Sequence, residues 1–371
     1  MSRGAIIRFE DVLTIKNGKN QSKVENPKGK YPIYGSGGIM GYADDFICPE
    51  NTVIVGRKGN INKPIFVSEK FWNVDTAFGL VANTQKLLPK YLYYFCENYD
   101  FEKLNTTVTI PSLTKSNLLK IHISMPNLET QKKIADVLDK AKNLIDLRKK
   151  QIEKMDLLIK SKFIEMFGDP VTNPKGWPTK ELKDITSKIG SGATPRGGKE
   201  SYIKYGICLI RSMNVHNGKF KYEELAHIDE SQAKQLENVT VFENDVLINI
   251  TGASVARSCV VPKTTLPARV NQHVSIIRCN PKVISYQYMN KLLINESYQK
   301  KLLSIGGAGG ATREAITKRQ LELLEIPLPP LDLQNQFACF VELVEKQKKL
   351  FEQALDKMEI NYKSLMQEYF G

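Results

Sequence analysis

The chain repeats itself. Residues 112–168 align with 315–371 at a constant offset of 203 and no gap is needed. Sixteen of the 57 aligned pairs are identical, among them Thr114/Thr317, Lys115/Lys318, Leu118/Leu321, Pro126/Pro329, Leu128/Leu331, Gln131/Gln334, Met155/Met358, Ser161/Ser364 and Phe167-Gly168/Phe370-Gly371. A spacing this long is not the period of a solenoid; it marks two copies of a domain-plus-helix unit. Two similar units present two similar surfaces, so the ligand of such a chain has two sites held at a set distance. The second copy ends at the residue pair that ends the first, which suggests a closed arrangement with neighbouring termini.

Four segments follow from the pattern. Residues 1–125 are rich in β-branched, aromatic and glycine residues with short strand-like runs such as Thr52–Gly56. Residues 126–168 read as one long helix, opening at Pro126-Asn127 and stopping at Gly168-Asp169-Pro170. Residues 169–328 return to mixed character, and 329–371 form the second long helix after Pro329-Pro330. About 40 residues at 1.5 Å each make a helix of roughly 60 Å, longer than a small domain is wide.

Each helix carries an apolar seam in alternating three- and four-residue steps. In the first it runs Ile134, Leu138, Ala141, Ile145, Ile152, Met155, Ile159 and Met166; in the second, Phe337, Val341, Val344, Phe351, Leu355, Met358, Tyr362, Leu365 and Tyr369. Arg148 interrupts the first seam where the second has Phe351, and Lys348 interrupts the second where the first has Ile145. Such a seam predicts that the two helices pair with each other.

The globular parts match with shifting offsets. Phe9–Val12 resembles Leu182–Ile185, Glu50–Val55 resembles Glu243–Ile248 with Gly59 on Gly252, Val74–Ala77 falls near Val270–His273, and Lys90–Tyr93 near Tyr286–Met289. Shared fold with diverged sequence predicts two different readers on one ruler.

A net charge of +13, from 53 basic against 40 acidic residues, points to a polyanionic partner, because neutralising phosphates releases counterions. Catalytic signatures are missing: no phosphate loop, no Asn-Pro-Pro-Tyr or Asp-Pro-Pro-Tyr tetrapeptide, and four histidines without metal-ligand spacing. Six scattered cysteines with no Cys-x-x-Cys predict reduced thiols and no zinc. The N-terminus has no secretory pattern and no apolar run could span a bilayer, so a cytoplasmic location is expected.

Several loops suit nucleic acid. Gly56–Lys63 places Arg57, Lys58, Asn60 and Lys63 where the backbone can approach a phosphate, and its counterpart Asn249–Arg257 ends on Arg257. Three further loops supply Arg196 and Lys199, Arg211 and Asn214, and Arg269 and Gln272, side-chain types that read guanine and adenine edges. Arg57, Lys58 and Lys63 are the expected backbone contacts; Arg196, Arg211, Asn214, Arg257 and Gln272 are expected at bases or phosphates.

These residues resemble the specificity subunit of type I restriction–modification systems. The resemblance rests on Leu88-Pro-Lys-Tyr-Leu-Tyr93, on Ile326-Pro-Leu-Pro-Pro-Leu-x-x-Gln334 with its copy Met125-Pro-Asn-Leu-x-x-Gln131, and on Met166-Phe-Gly-Asp-Pro170 followed by Gly176-Trp-Pro178. Gly192-Ala-Thr-Pro195 and Val270-Asn-Gln-His273 look like second-domain signatures. The first copy departs from Pro-Leu-Pro-Pro-Leu, reading Ser124-Met-Pro-Asn-Leu128, but keeps the proline before the helix.

The resemblance implies an α+β chain of two mixed α/β target-recognition domains, joined by two long antiparallel coiled-coil helices in a pseudo-two-fold circular arrangement. It implies a bipartite asymmetric target on double-stranded DNA, one half-site per domain, with the spacer set by the helices. The implied partners are two methyltransferase subunits, which modify adenine with S-adenosylmethionine, and motor–nuclease subunits. The resemblance also implies that the chain has no active site of its own, and no metal or cofactor is expected. Two other readings compete: a stand-alone nuclease using Glu181 and Lys183, and a coiled-coil interaction protein whose charge is incidental.

Overall fold

The computed structural model describes residues 4–105, 112–307 and 315–371. The chain divides into two compact units, Met1–Lys150 with Phe351–Gly371, and Gln151–Leu350.

In the first unit, β1 (Ala5–Arg8) pairs antiparallel with β9 (His122–Met125). The strands β2 (Leu13–Asn17), β5 (Thr52–Gly56), β6 (Ile65–Val67) and β8 (Ala77–Ala82) form an antiparallel sheet in the order β2-β8-β5-β6. A smaller sheet of β3 (Tyr31–Gly35), β4 (Gly38–Ala43) and β7 (Trp72–Asn73) has the order β4-β3-β7, with β3 and β7 parallel. The helix α1 (Pro89–Asn98) and the short α2 (Lys115–Leu119) lead into α3 (Leu128–Phe167).

The second unit repeats this plan. The pair of β10 (Thr179–Glu181) and β21 (Glu325–Pro327) matches β1 and β9. The strands β11 (Thr186–Ser191), β17 (Val246–Asn249), β18 (Ser258–Val260) and β20 (Val274–Cys279) form a sheet ordered β11-β20-β17-β18. A further sheet of β12 (Ile207–Ile210), β15 (Ala226–Ile228), β16 (Thr240–Val241) and β19 (Ala268–Val270) contains the parallel pair β12·β19, and β13 (Val215–His216) with β14 (Lys219–Phe220) makes a hairpin. Helices α4 (Glu230–Gln235), α5 (Tyr286–Leu293), α6 (Glu296–Gly307) and α7 (Lys318–Glu322) precede α8 (Leu331–Phe370).

Small residues confirm the equivalence. Asn51 and Asn244, each just before the central strand, both take positive φ, 58° and 69°, which asparagine tolerates better than most side chains. Gly18 and Gly192 each run against backbone: a Cβ would come within 1.8 Å of the Val74 carbonyl oxygen and 1.6 Å of the Val270 carbonyl oxygen. Only glycine fits such an approach.

The joint between each globular part and its long helix is a buried glutamine. Gln131, with no exposed surface, accepts the Leu88 N–H at 2.8 Å and donates to the Lys86 and Pro126 carbonyls at 2.9 Å each. Gln334, equally buried, accepts the Ser285 N–H at 2.9 Å and donates to the Pro329 carbonyl at 2.8 Å and the Val283 carbonyl at 3.5 Å. Leu88 and Ser285 are the N-caps of α1 and α5, so each glutamine satisfies a helix N–H that has no partner within its own helix. A tyrosine repeats the pattern: the Tyr91 hydroxyl donates to Ser124 O at 2.9 Å and the Tyr288 hydroxyl to Pro327 O at 2.7 Å, acceptors 203 residues apart.

The apolar seams are buried or half-buried along both helices. Ile134 and Leu138 of α3 share the first unit's core with Met366 and Phe370 of α8, while Ile159 and Phe163 share the second unit's core with Phe337 and Val341. The early part of each helix thus lies beside the late part of the other, an antiparallel pairing. Arg148 places its guanidinium 4.5 Å from the Phe351 ring centre, and Lys149 pairs with Glu359 at 2.8 Å. In the second unit Lys348 pairs with Asp156 at 2.6 Å. The α3 C-terminus is closed by Lys175, which donates to the Glu165 and Met166 carbonyls, and by the Trp177 indole on the Phe167 carbonyl at 3.0 Å.

Where α1 and α5 dock on the long helices, the charges are arranged with opposite sign. Lys142 of α3 reaches Glu97 at 2.6 Å and the Tyr93 hydroxyl at 2.5 Å. The equivalent of Lys142 on α8 is Glu345, paired with Lys291 of α5 at 3.0 Å. Burial and then the Glu97 carboxylate push the Tyr362 phenol upward, so it stays protonated and donates to Glu97 at 3.0 Å.

Replacing Gln131 with alanine strands a buried N–H and two carbonyls, each worth about 1–3 kcal/mol when unsatisfied. Hydrogen–deuterium exchange is expected to show lost protection across residues 86–95 in Gln131→Ala and across 283–293 in Gln334→Ala. Unchanged protection would show that the joint contributes little.

Candidate nucleic-acid interface

Three loops meet at the same end of the central sheet in each unit. In the first unit Arg57 N–H donates to Thr76 O at 2.7 Å, Leu113 N–H donates to Arg57 O at 2.9 Å, and Lys58 bridges to Ser112. In the second, Ile250 N–H donates to His273 O at 3.0 Å, Ile316 N–H donates to Ile250 O at 2.8 Å, and Thr251 bridges to Ala315. Ser112 and Ala315, like Leu113 and Ile316, are 203 residues apart, so the repeat fixes the register of the loops packed against it. Arg57 therefore corresponds to Ile250, Lys58 to Thr251, Thr76 to His273 and Asp75 to Gln272. Gly59 and Gly252 follow with matching φ of 78° and 74°. A third loop closes each platform: Ser36–Gly38 beside Gly56 and Asn60, and Ser212, whose carbonyl accepts the Asn249 amide at 2.9 Å.

The backbone is shared but the side chains are not. The first platform presents Arg57, Lys58 and Asn60, all exposed, around the exposed Asp75; Lys63, also exposed, ends the same loop. Arg57 rests 5.9 Å from the Phe78 ring centre and donates weakly to Asp75 O at 3.4 Å. The second platform presents Thr251, Gln272 and His273: the Thr251 hydroxyl lies 2.5 Å from His273 Nδ1, and the Gln272 amide nitrogen 3.4 Å from His273 Nε2. Arg257, half-buried, ends the corresponding loop. The first platform's loop carries three cations; the second's carries one, Arg257, beside hydrogen-bonding side chains.

The remaining expected residues lie elsewhere. Arg196 and Lys199 are exposed on a turn where Gly197 and Gly198 take positive φ. Arg211 is half-buried, its guanidinium 5.4 Å from the Tyr202 ring centre and bonded to the Glu224 carbonyl. Arg269, on β19, donates to the Ala233 and Ala268 carbonyls at 3.1 and 3.0 Å. Asn214 needs correction as a reading residue. It has no exposed surface, accepts the Arg211 N–H at 3.0 Å, and donates to the Lys221 and Glu223 carbonyls at 2.9 and 3.2 Å. Its amide is a clasp for the loop.

Sequence reading passed over Asp75, Thr76 and Thr251, and treated His273 as an isolated histidine. The signal was present in residues 112–113 and 315–316, but only their backbone bonds connect that signal to the loops. Glu181 and Lys183 pair with each other. Among the described residues no group of three His, Cys, Asp or Glu side chains is placed to hold a metal, and no helix is long and apolar enough to cross a membrane.

Thermal melting separates the two kinds of polar residue. Asn214→Ala removes three part-buried bonds to backbone and is expected to cost about 1–3 kcal/mol. Arg57→Ala and Lys58→Ala, at exposed positions, are expected to stay within about 0.5 kcal/mol of the parent. Equal melting of all three would remove the distinction.

Specificity subunits of type I restriction enzymes are among the proteins similar to this chain. The chain is 24% identical over 387 residues to the type I restriction enzyme MjaVIII specificity subunit of Methanocaldococcus jannaschii, covering 95% of this chain and 90% of that one. It is 24% identical over 369 residues to the EcoBI specificity subunit of Escherichia coli, covering 91% and 72%. In fold it is similar to the S subunit of a type I restriction–modification system from M. genitalium, with a TM-score of 0.65 at 15% identity over 99% of this chain and 96% of that one. The family model for the type I restriction modification DNA specificity domain matches twice, at residues 4–156 and 174–359, once for each copy of the sheet-and-joint plan described above, and the chain therefore belongs to that family.

Proposed function

We propose that each unit reads one half of a bipartite, asymmetric site on double-stranded DNA, and that the chain's part in its complex is recognition rather than catalysis. One observation carries this: the loop platform is built twice on matching backbone hydrogen bonds but carries Arg57, Lys58, Asp75 and Thr76 in one unit and Ile250, Thr251, Gln272 and His273 in the other. Equal frames with unequal side chains suit two different half-sites, and the charge of +13 suits a phosphate backbone. Arg57, Lys58, Asn60 and Lys63 serve as the first unit's contacts. Arg196, Lys199, Arg211, Arg257, Arg269 and Gln272 serve the second, with Arg269 acting mainly through the strand it steadies.

Specificity subunits assemble with other subunits of type I systems. In the cytoplasm this chain would hold two modification subunits, which methylate adenine, and motor–nuclease subunits that restrict unmodified DNA. Outside the seams Leu144, Leu147 and Leu157 on α3, and Leu343 and Leu350 on α8, remain exposed, an apolar supply for partner helices. The length of α3 and α8 would set the spacer between half-sites.

Methylation-aware sequencing of DNA from cells carrying the complete complex tests the reading. Exchanging residues 179–327 for those of another family member is expected to change one half of the methylated motif; a change in both halves would end the modular reading. A matched seven-residue insertion in α3 and α8 is expected to lengthen the spacer with both halves kept. An unchanged spacer would refute the ruler.

A further inference from the structure

We propose that Gln272 reads an adenine in the second unit's half-site, and that His273 and Thr251 are the positioning residues that hold it in its reading pose. The inference rests on the DNA-reading role proposed above and deepens it to a base.

Gln272 is exposed, and its amide has one long side-chain contact. The Gln272 nitrogen lies 3.4 Å from His273 Nε2, and His273 Nδ1 lies 2.5 Å from the Thr251 hydroxyl. A neutral imidazole protonated at Nδ1 satisfies both: Nδ1–H donates to Thr251 Oγ1, and Nε2 accepts one N–H of Gln272. The histidine backbone is itself fixed, since its carbonyl takes the Ile250 N–H at 3.0 Å and its N–H donates to Asn271 Oδ1 at 3.1 Å. In that tautomer one N–H of Gln272 faces the ring across the 3.4 Å contact, and its second N–H and Oε1 remain for a ligand.

A donor and an acceptor side by side match the major-groove edge of adenine, where N7 accepts and the N6 amino group donates. Guanine offers two acceptors, N7 and O6, and leaves Oε1 facing a lone pair; cytosine offers only the N4 donor and thymine only the O4 acceptor. Biasing the amide toward this pose lessens the rotamer entropy that a free glutamine would lose on binding. The corresponding residue of the first unit, Asp75, has no donor for N7, and Thr76 in place of His273 has no ring to orient it. The same frame therefore favours different bases in the two halves.

The test uses the complete complex in cells and reads the methylated motif. In Gln272→Glu, which keeps the shape but loses the donor pair, and in Gln272→Ala, preference for adenine at one unmethylated position of the second half-site is expected to fall roughly tenfold or more. The first half-site and the spacer should not change. His273→Ala should relax that same position by a smaller factor, with melting temperature unchanged, a base-specific readout that a packing role alone would not move. An unaltered motif in the Gln272 variants would overturn the inference, and so would even weakening at all sequences, which marks a phosphate contact. If the parent complex methylates no bipartite motif, the DNA-reading role itself fails and not this assignment.

Discussion

Each globular part of this protein is tied to its long helix by a buried amide. Gln131 and Gln334 each sit one turn into a 40-residue helix and spend their hydrogen-bonding capacity on three backbone groups of the adjoining globular part. An apolar side chain there would leave the N-cap amides of α1 and α5 unsatisfied, and a charged one would face an apolar core. The amide also has direction. It fixes the angle at which the long helix leaves the domain, which packing alone sets less sharply because apolar contact is non-directional.

The amide joint lets the rest of each unit diverge. With the helix start, the joint and the first residues of the repeat fixed, the platform backbone is held by Leu113 and Ile316, and its side chains change without disturbing it. One platform then carries three cations within seven residues, and the other carries Thr251, Gln272 and His273. Phosphate contact tolerates mobile, well-hydrated lysines, because a point charge needs little geometry. Base reading does not. The Gln272–His273–Thr251 contacts lie on the platform whose loop has no lysine.

What could be read from the sequence was what repeats at a fixed interval. The seams of α3 and α8 and the Gln131/Gln334 pair were legible at that interval because helix period leaves few residue choices, and the Gly59/Gly252 pair was legible at a shorter offset. The interface was legible only in part. Arg57, Lys58 and Gln272 were picked for their chemistry and the fold brings them to matching platforms. Asn214 was picked on the same grounds and is buried, since asparagine closes a loop with the same amide that reads a base. Only its exposure tells these apart, and exposure at a loop is set by residues far away in sequence. His273 was passed over for the converse reason: alone it has no partner, and Thr251, 22 residues earlier, supplies one only after β17 and β20 pair.

The charge at the docking helices explains how two similar units stay distinct. Lys142 meets Glu97 in one and Glu345 meets Lys291 in the other, while Asp139 takes Lys90 at 3.0 Å and its equivalent Glu342 takes Gln287 at 2.8 Å. A first-unit domain docked on the second helix would set Glu97 near Glu345, and the reverse error would set Lys291 near Lys142. The Lys291–Lys142 clash would be the costlier, because both are partly buried and less water screens them, whereas Glu345 is exposed. The seam adds a second asymmetry: Arg148 stacks on Phe351, its own counterpart in the repeat. Two copies of the first helix would oppose arginine to arginine at that point. Duplication alone would make the two arrangements equivalent, and these reversals favour docking of each globular part on its own helix.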